Sequence, residues 1–539
     1  MKKIIALFFI LNSISCEYFK EEVDLIIINA NIYTVDEDFS KAESFAVNDG
    51  KFIAVGTAEE IRKVYTSKQI IDADERTITP GLIDAHCHFY GLGLNQQIVD
   101  LRGTKSFEEV LDRVRKFQID NPREFIKGRG WDQNDWEIKE FPTKVALDTL
   151  FPDIPVALER VDGHAYLVNQ KALDMAGIQW NTKIAGGEIV KNANGNTGVL
   201  IDNPMLLIDS ITPPLSVEMK IKALKDAEEI CLTNGLTTVN DAGLDRSTIE
   251  LIDSLQQTGE LSIRVYAMVS NTPENLDYYL SKGIVKTEKL NVRSIKVYGD
   301  GALGSRGAVL KESYSDKKGH YGAMVTSVEE IENLAKRISN TEFQMNTHAI
   351  GDSANVVVLR TYKKILEGRK DHRWKVEHAQ VIDTPDFDYF AEGIIPSIQP
   401  THATSDMYWA DERLGEERVK GAYAFKTLLN KAGKVALGTD FPVEQVSPFL
   451  TFYAAVARQD VEGYPKDGYQ MQDALSREEA LKGMTIWAAY SNFEENEKGS
   501  IEVGKFADFT IYDKNMMTIP VSELPSVKAE LTFINGMAR

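Results

Sequence analysis

The chain has 539 residues of ordinary globular composition, 43% hydrophobic and 26% charged, too long for one small core and suited to two to four domains or a large α/β barrel. Its 81 acidic residues against 61 basic ones leave a net charge of −20 with no basic cluster, which argues against nucleic acid as a partner because a phosphate backbone would be repelled.

The first residues read as an export signal: Lys2-Lys3, the apolar run Ile4 to Leu11, then Asn12-Ser13-Ile14-Ser15 ending at Cys16. That run is too short to span a bilayer, and no later stretch approaches about 20 apolar residues, so a transmembrane mature protein is not expected. Ser13-Ile14-Ser15-Cys16 resembles a bacterial lipobox, which implies cleavage before Cys16, a lipid on its thiol and a protein tethered on the periplasmic side. Ser13 departs from the usual Leu, so an ordinary signal-peptidase cut and a free periplasmic protein is the alternative. Cys87 and Cys231 are the remaining cysteines, and their settings argue against a disulfide.

After this leader (residues 1–16), Leu25 to Ile28, Ser44 to Val47 and Phe52 to Val55 read as strands, with Asn48-Asp49-Gly50 as a hairpin turn between the last two. Ala507 to Tyr512 and Leu531 to Gly536 repeat this pattern, so residues 17–78 and 491–539 are expected to build one small β-sandwich from both termini. The middle, residues 79–490, alternates apolar runs with helical segments, the grammar of a parallel sheet covered by helices. The strand opening at Gly81 is followed by Leu236 to Asn240, Arg264 to Val269, Ser294 to Tyr298, Gln344 to Thr347, Trp374 to Glu377, Ile394 to Ile398 and Lys434 to Gly438. Eight strands are the number for a closed (β/α)8, or TIM, barrel. Residues from about 102 to 215 fall outside that count and are expected to form an inserted lobe over the barrel mouth.

Polar residues recur at the ends of these strands: His86 and His88 on the first, Lys296 and Asp300 with the fourth, His348 on the fifth, His378 on the sixth and Asp440 on the eighth. Alternation along a strand sends His86 and His88 the same way and turns Cys87 into the barrel wall. Parallel strands all end at one mouth, so four imidazoles and a carboxylate converge there, a donor set for Zn²⁺ or a similar divalent ion.

The phrases around these residues resemble the amidohydrolase superfamily, and within it amidohydrolase family 3, the N-substituted formamide deformylase-like hydrolases. They are Thr79 to His88, Lys296 to Arg306, His348-Ala349-Ile350-Gly351-Asp352, Glu377-His378-Ala379-Gln380, Gly438-Thr439-Asp440-Phe441-Pro442 and Gly504 to Phe509. The resemblance implies that His86, His88 and Asp440 hold one metal, that His348 and His378 hold a second, and that Lys296, carboxylated by CO₂, bridges them. An unmodified ammonium has no lone pair, so Lys296 otherwise serves as a nearby cation. The resemblance implies one or two zinc ions and leaves the count open. The reaction implied is hydrolysis of a non-peptide carbon–nitrogen bond, N-acyl, N-formyl or cyclic amide, in a small molecule, with Asp440 as the base and acid. An ester or phosphoester hydrolase on the same scaffold is the first alternative, and a surface lipoprotein that binds a ligand without catalysis is the second.

The other candidates come from position. His164, in Arg160 to Ala165, lies in the lobe and is expected to donate to the substrate or oxyanion. His402 follows the seventh strand and is expected to touch the substrate, Trp131 to wall the pocket, and Arg306 to hold a substrate carboxylate. His320 and His372 sit among charged and turn residues and are expected to be solvated.

Overall fold

The computed structural model describes residues 20–193 and 195–539, so the leader and the lipidation site expected at Cys16 lie outside the described residues. Eight parallel strands form the central sheet: β1 (Leu82–Cys87), β2 (Leu236–Leu244), β3 (Arg264–Ser270), β4 (Leu290–Tyr298), β5 (Gln344–Ala349), β6 (Lys375–His378), β7 (Ile395–Ile398) and β8 (Ala436–Leu437). They pair in chain order. Helices between them pack apolar faces outside the sheet; Val328–Ser339 is typical, with a Ser327/Glu330 capping box and Ile331, Ala335 and Ile338 buried. The TIM barrel expected from the alternation is therefore present.

Closure between β8 and β1 is made at the mouth rather than by a strand ladder. Asp440 N–H donates to His86 O and His88 N–H to Phe441 O, both at 2.8 Å, while Thr439 gives its N–H and hydroxyl to the Asp84 carboxylate. Gly438 has to be glycine here, because a Cβ would stand 2.5 Å from His86 N.

The barrel interior is polar and plugged from below. Lys375, Gln344 and Asn240 point inward, and the helix Ile486–Ser491 with Asn492 meets them: Lys375 Nζ and Asn240 Nδ2 donate to Asn492 Oδ1 at 2.8 and 3.0 Å, and Gln344 Nε2 donates to Ser491 O at 3.0 Å.

Both chain ends build the β-sandwich. A four-stranded N-terminal sheet, Lys51–Gly56, Ser44–Asn48, Leu25–Ile28 and Ile70–Asp72, faces a six-stranded sheet in which Phe509–Tyr512 and Ala529–Ile534 join Thr77–Pro80. Phe45, Phe52, Phe509 and Phe533 fill the space between the sheets. Asp49 and Gly50 at the hairpin turn both have positive φ, 49° and 72°, as the Asn48-Asp49-Gly50 signal requires. Thr77–Pro80 runs straight into β1, so the sandwich and the first metal-facing strand are covalently consecutive.

The segment between β1 and β2 forms the lobe, a six-stranded mixed sheet whose strands include Ile126–Trp131, Val156–Arg160, Ala165–Val168 and Gly195–Asp202, with its own apolar core. Trp131 belongs to that core. It is buried against Trp136 and Phe141, and its Nε1–H donates to Leu158 O at 2.8 Å, so it does not wall the pocket as expected. Alternation explains the miss: its neighbours Gly130 and Asp132 face the pocket, and Trp131 faces the opposite way.

Cys87 and Cys231 are both free and buried, and Cys87 Sγ lies 3.4 Å from Asn240 O in the barrel wall. Among the described residues no helix is long and apolar enough to cross a membrane.

Candidate metal centre

His86 reaches the interior through an irregularity in β1. Asp84 pairs with Val239 and Cys87 with Asp241, so three steps on β1 match two on β2, a bulge that re-aims the intervening side chains. Both imidazoles face the same cavity, as alternation predicts, with ring planes nearly perpendicular and centroids 5.8 Å apart. Asp440 (φ 62°) and His378 (φ 73°) both sit in the left-handed region, a cost of about 1–3 kcal/mol each that the surrounding hydrogen bonds must offset. Such outliers at the mouth of a barrel mark function more often than packing.

His86, His88, His164, Lys296, His348, His378, His402 and Asp440, scattered over more than half the sequence, line one cavity of about 280 Å³ at the C-terminal end of the strands. His86, His88 and Asp440 offer one ligand atom each within 4.8 Å of one another, and so do His378, His402 and Asp440. Asp440 is thus the shared member. His402, expected at the substrate, lines the cavity and is held between two carboxylates, with Nε2 3.2 Å from Asp440 Oδ2 and Nδ1 3.0 Å from Glu444 Oε1. His348 stacks edge-on to His378 at 4.6 Å but falls outside both triads. Lys296 Nζ lies 3.2 Å from His86 Nε2.

The donor chemistry fits a divalent ion. Asp440 Oδ1 is buried without a hydrogen-bond partner, an arrangement costly unless a cation or proton donor completes it. The Nδ1 atoms of three histidines are each spoken for: His86 by Glu377 Oε2 at 2.5 Å, His88 by Ala242 O at 3.1 Å and His378 by Gln399 Oε1 at 2.7 Å. These acceptors fix the tautomer and leave each Nε2 lone pair for a metal. Burial lowers the pKa of His86, and those of His348 and His378 fall well below the usual value through burial and neighbouring positive charge, so all three stay neutral. Burial likewise brings Lys296 down to about 8. For Asp440, burial raises the pKa, but the hydrogen bond of His402 and the nearby imidazoles of His88, His86 and His378 outweigh it and hold the carboxyl well below its ordinary range. His402 shows the converse: burial lowers its pKa, but the hydrogen bonds and charges of Asp440 and Glu444 outweigh this and hold it well above the ordinary histidine value.

His164 enters from the lobe, 5.2 Å from the His348 ring, with Nδ1 2.7 Å from Asp202 Oδ1. Burial would lower its pKa, yet the Asp202 bond leaves it raised.

Arg306 is not in the cavity lining. Its Nη2 donates to Asp316 Oδ2 at 2.8 Å within its own loop, so the expected substrate carboxylate finds its charge already taken. His320 and His372 are half-buried and hydrogen-bonded, to Arg306 O and Glu392 O, rather than solvated. Sequence reasoning missed Glu377, Gln399, Glu444, Asp202 and Trp409. Glu377 had a visible signal, a carboxylate inside a buried strand next to a candidate ligand. Trp409 is the tryptophan that does line the cavity.

Residues 69–538 match the amidohydrolase family. A putative amidohydrolase, YtcJ, of Bacillus subtilis is 33% identical over 518 residues, covering 94% of this chain and 97% of that one. The N-substituted formamide deformylase of Arthrobacter pascens is 27% identical over 544 residues, covering 96% and 98%. A crystal structure of an uncharacterized metal-dependent hydrolase from Pyrococcus horikoshii superposes with a TM-score of 0.76 at 29% identity, covering 92% of this chain and 99% of that one. With the barrel, its histidine-rich mouth and a family match across most of the sequence, the chain belongs to the amidohydrolase family, and it is a metal-dependent hydrolase of the carbon–nitrogen-bond class.

Proposed function

We propose that this enzyme hydrolyses a non-peptide amide, N-acyl or N-formyl, in a small molecule, and that Asp440 moves the proton. The observation that carries the reading is Asp440 itself, buried, common to both ligand triads, and with one oxygen left without a hydrogen bond in the cavity. His86 and His88 with Asp440 would hold one divalent ion, zinc by donor type, and His378 with His348 would flank a second position. A bound ion would supply Lewis acidity, bringing the pKa of a water towards about 7 and polarising the scissile carbonyl.

The remaining work falls to the chain. Asp440 Oδ1 accepts the proton of the attacking water and returns it to the leaving nitrogen, while His402, braced by Glu444, steadies the Asp440 anion. Asp202 fixes the His164 ring so that Nε2 faces the cavity, where it donates to the carbonyl oxygen as negative charge develops. Lys296 lies in contact with His86 Nε2, and its carboxylated form would bridge the two metal positions. On the leader read from Lys2 to Cys16, the enzyme works outside the cytoplasm with Cys16 as a lipid anchor.

Metal analysis of gently purified protein, coupled to a screen of N-acylated and N-formylated amines, tests the reading. Bound divalent metal and turnover are expected, with Asp440→Asn losing about 100- to 10,000-fold in kcat. Protein without divalent metal, or Asp440→Asn with unchanged turnover, would overturn it.

A further inference from the structure

The wall of the metal cavity presents two oxygens that neither the metal nor the proton transfer uses. Gln380 stands two residues beyond His378, and Asp406 ends the helix Pro400–Asp406, one turn beyond His402; both line the cavity. Gln380 is only 5% exposed. Its Nε2 donates to Asp406 Oδ2 at 3.2 Å and to the Tyr423 hydroxyl at 3.1 Å, and that hydroxyl donates to Asp406 Oδ2 at 2.8 Å. A carboxylate only accepts, and the tyrosine proton is committed to it, so the Gln380 amide has one orientation, with nitrogen towards this pair and Oε1 turned away from it. Among the described residues Gln380 Oε1 has no hydrogen-bond partner, and neither has Asp406 Oδ1.

The cations of the cavity are engaged elsewhere. Arg102 pairs with Asp100, Arg160 lies between Asp132 and Asp162, and His402 lies between Asp440 and Glu444. Among the described residues no lysine or arginine stands within ion-pair distance of Asp406, and burial, with Glu444 and Asp132 nearby, pushes its carboxyl up to about 7. Ile350, whose carbonyl accepts from Val381 N–H, and Trp409, whose N–H donates to Asp406 O, add apolar wall beside the pair. Two open acceptors, one of them a carboxylate, suit a cation that carries several N–H bonds. The scissile nitrogen is not that group, because in an amide it is uncharged and it has to meet Asp440.

We propose that Gln380 and Asp406 form a specificity subsite for a second, non-scissile nitrogen of the substrate, a primary ammonium on a short alkyl chain, so that the enzyme selects aminoalkyl amides. The inference rests on the reading of the enzyme as an amide hydrolase, and binding of metal-chelating probes separates the two. 4-Aminobutanohydroxamic acid and pentanohydroxamic acid share a metal-binding head and differ by ammonium against methyl, so their affinity ratio on the zinc-loaded protein reports the distal group on the acyl half. N-(4-aminobutyl)-N-hydroxyformamide against N-pentyl-N-hydroxyformamide places the same difference on the amine half. Calorimetry at about pH 8 keeps Asp406 ionised and the alkylammonium protonated. In at least one arm the ammonium member is expected to bind about tenfold tighter or more, and that arm identifies the half that carries the nitrogen. Asp406→Asn keeps an oxygen for Gln380 and Tyr423 but turns N–H groups to the cavity, and Gln380→Met removes the other acceptor at similar length. The ratio is expected to fall towards one in each, and either variant decides alone if the other does not fold. A ratio near one in both arms of the parent overturns the subsite, as does a ratio that persists in a folded variant, even where both probes weaken together. Amide turnover without the preference rejects this inference alone; the preference in a protein that hydrolyses no amide rejects the functional reading; no binding of any probe rejects both.

Discussion

Glu494 shows how a single residue links charge to stability in this protein. It is buried in the segment below the barrel, with Oε1 2.5 Å from Lys286 Nζ and Oε2 2.9 Å from Lys498 Nζ. Burial raises its pKa, but the two ammonium groups overcome this and bring it from 4.5 to about 2. A folded-state pKa below the unfolded one means stability that is fully present above pH 4.5 and is lost as pH falls towards 2. Glu494→Gln is therefore expected to be less stable than the parent by about 3 kcal/mol at pH 7. The gap should shrink at pH 3.5. Urea midpoints at the two pH values check this, and a gap that does not change with pH contradicts it. At the same scale, the chemical types at the barrel mouth were legible from sequence, since each strand-end histidine follows an apolar run. The acceptors that orient them were not. Glu377, Gln399 and Ala242 O come from strands or loops distant in sequence, and nothing local says which imidazole each one meets.

At the scale of elements, the helix Phe89–Asn95 begins at His88 and packs on the long helix Val217–Thr233 through Gly93. A Cβ on Gly93 would stand 1.8 Å from the backbone oxygen of Ala223, so the helices must part to admit it. Gly93→Ala should cost about 1–3 kcal/mol. The displaced helix should also disturb His88 and reduce metal retention. A denaturation midpoint and metal content equal to those of the parent would show that the contact yields without consequence. Strand order and helix alternation were readable because burial of both sheet faces leaves continuous apolar runs. The β1 bulge was not, because it depends on the register between strands that lie more than 140 residues apart.

For the whole molecule, a buried ion pair ties the barrel to the sandwich. Arg264 on β3 donates Nε and Nη2 to the Asp508 carboxylate at 2.6 and 3.0 Å, its guanidinium lies 4.0 Å over the Phe506 ring, and both charged groups are almost fully buried. Asp508→Ala leaves Arg264 uncompensated and is expected to destabilise the fold by about 3–5 kcal/mol. Calorimetric unfolding checks it; a loss below 1 kcal/mol would mean that water reaches the arginine.

The sequence by itself determined the barrel, the paired termini and the kind of chemistry at the mouth, because these follow from periodicity and residue type within short windows. Only the tertiary structure decided that Asp440 is common to both histidine triads, that His402 is braced by Glu444, and that Trp409 rather than Trp131 lines the cavity. The physical reason is that a strand end places its residue at the mouth through local geometry. Which partner it meets there, and which face the lobe presents, depends on contacts summed over segments far apart in the chain.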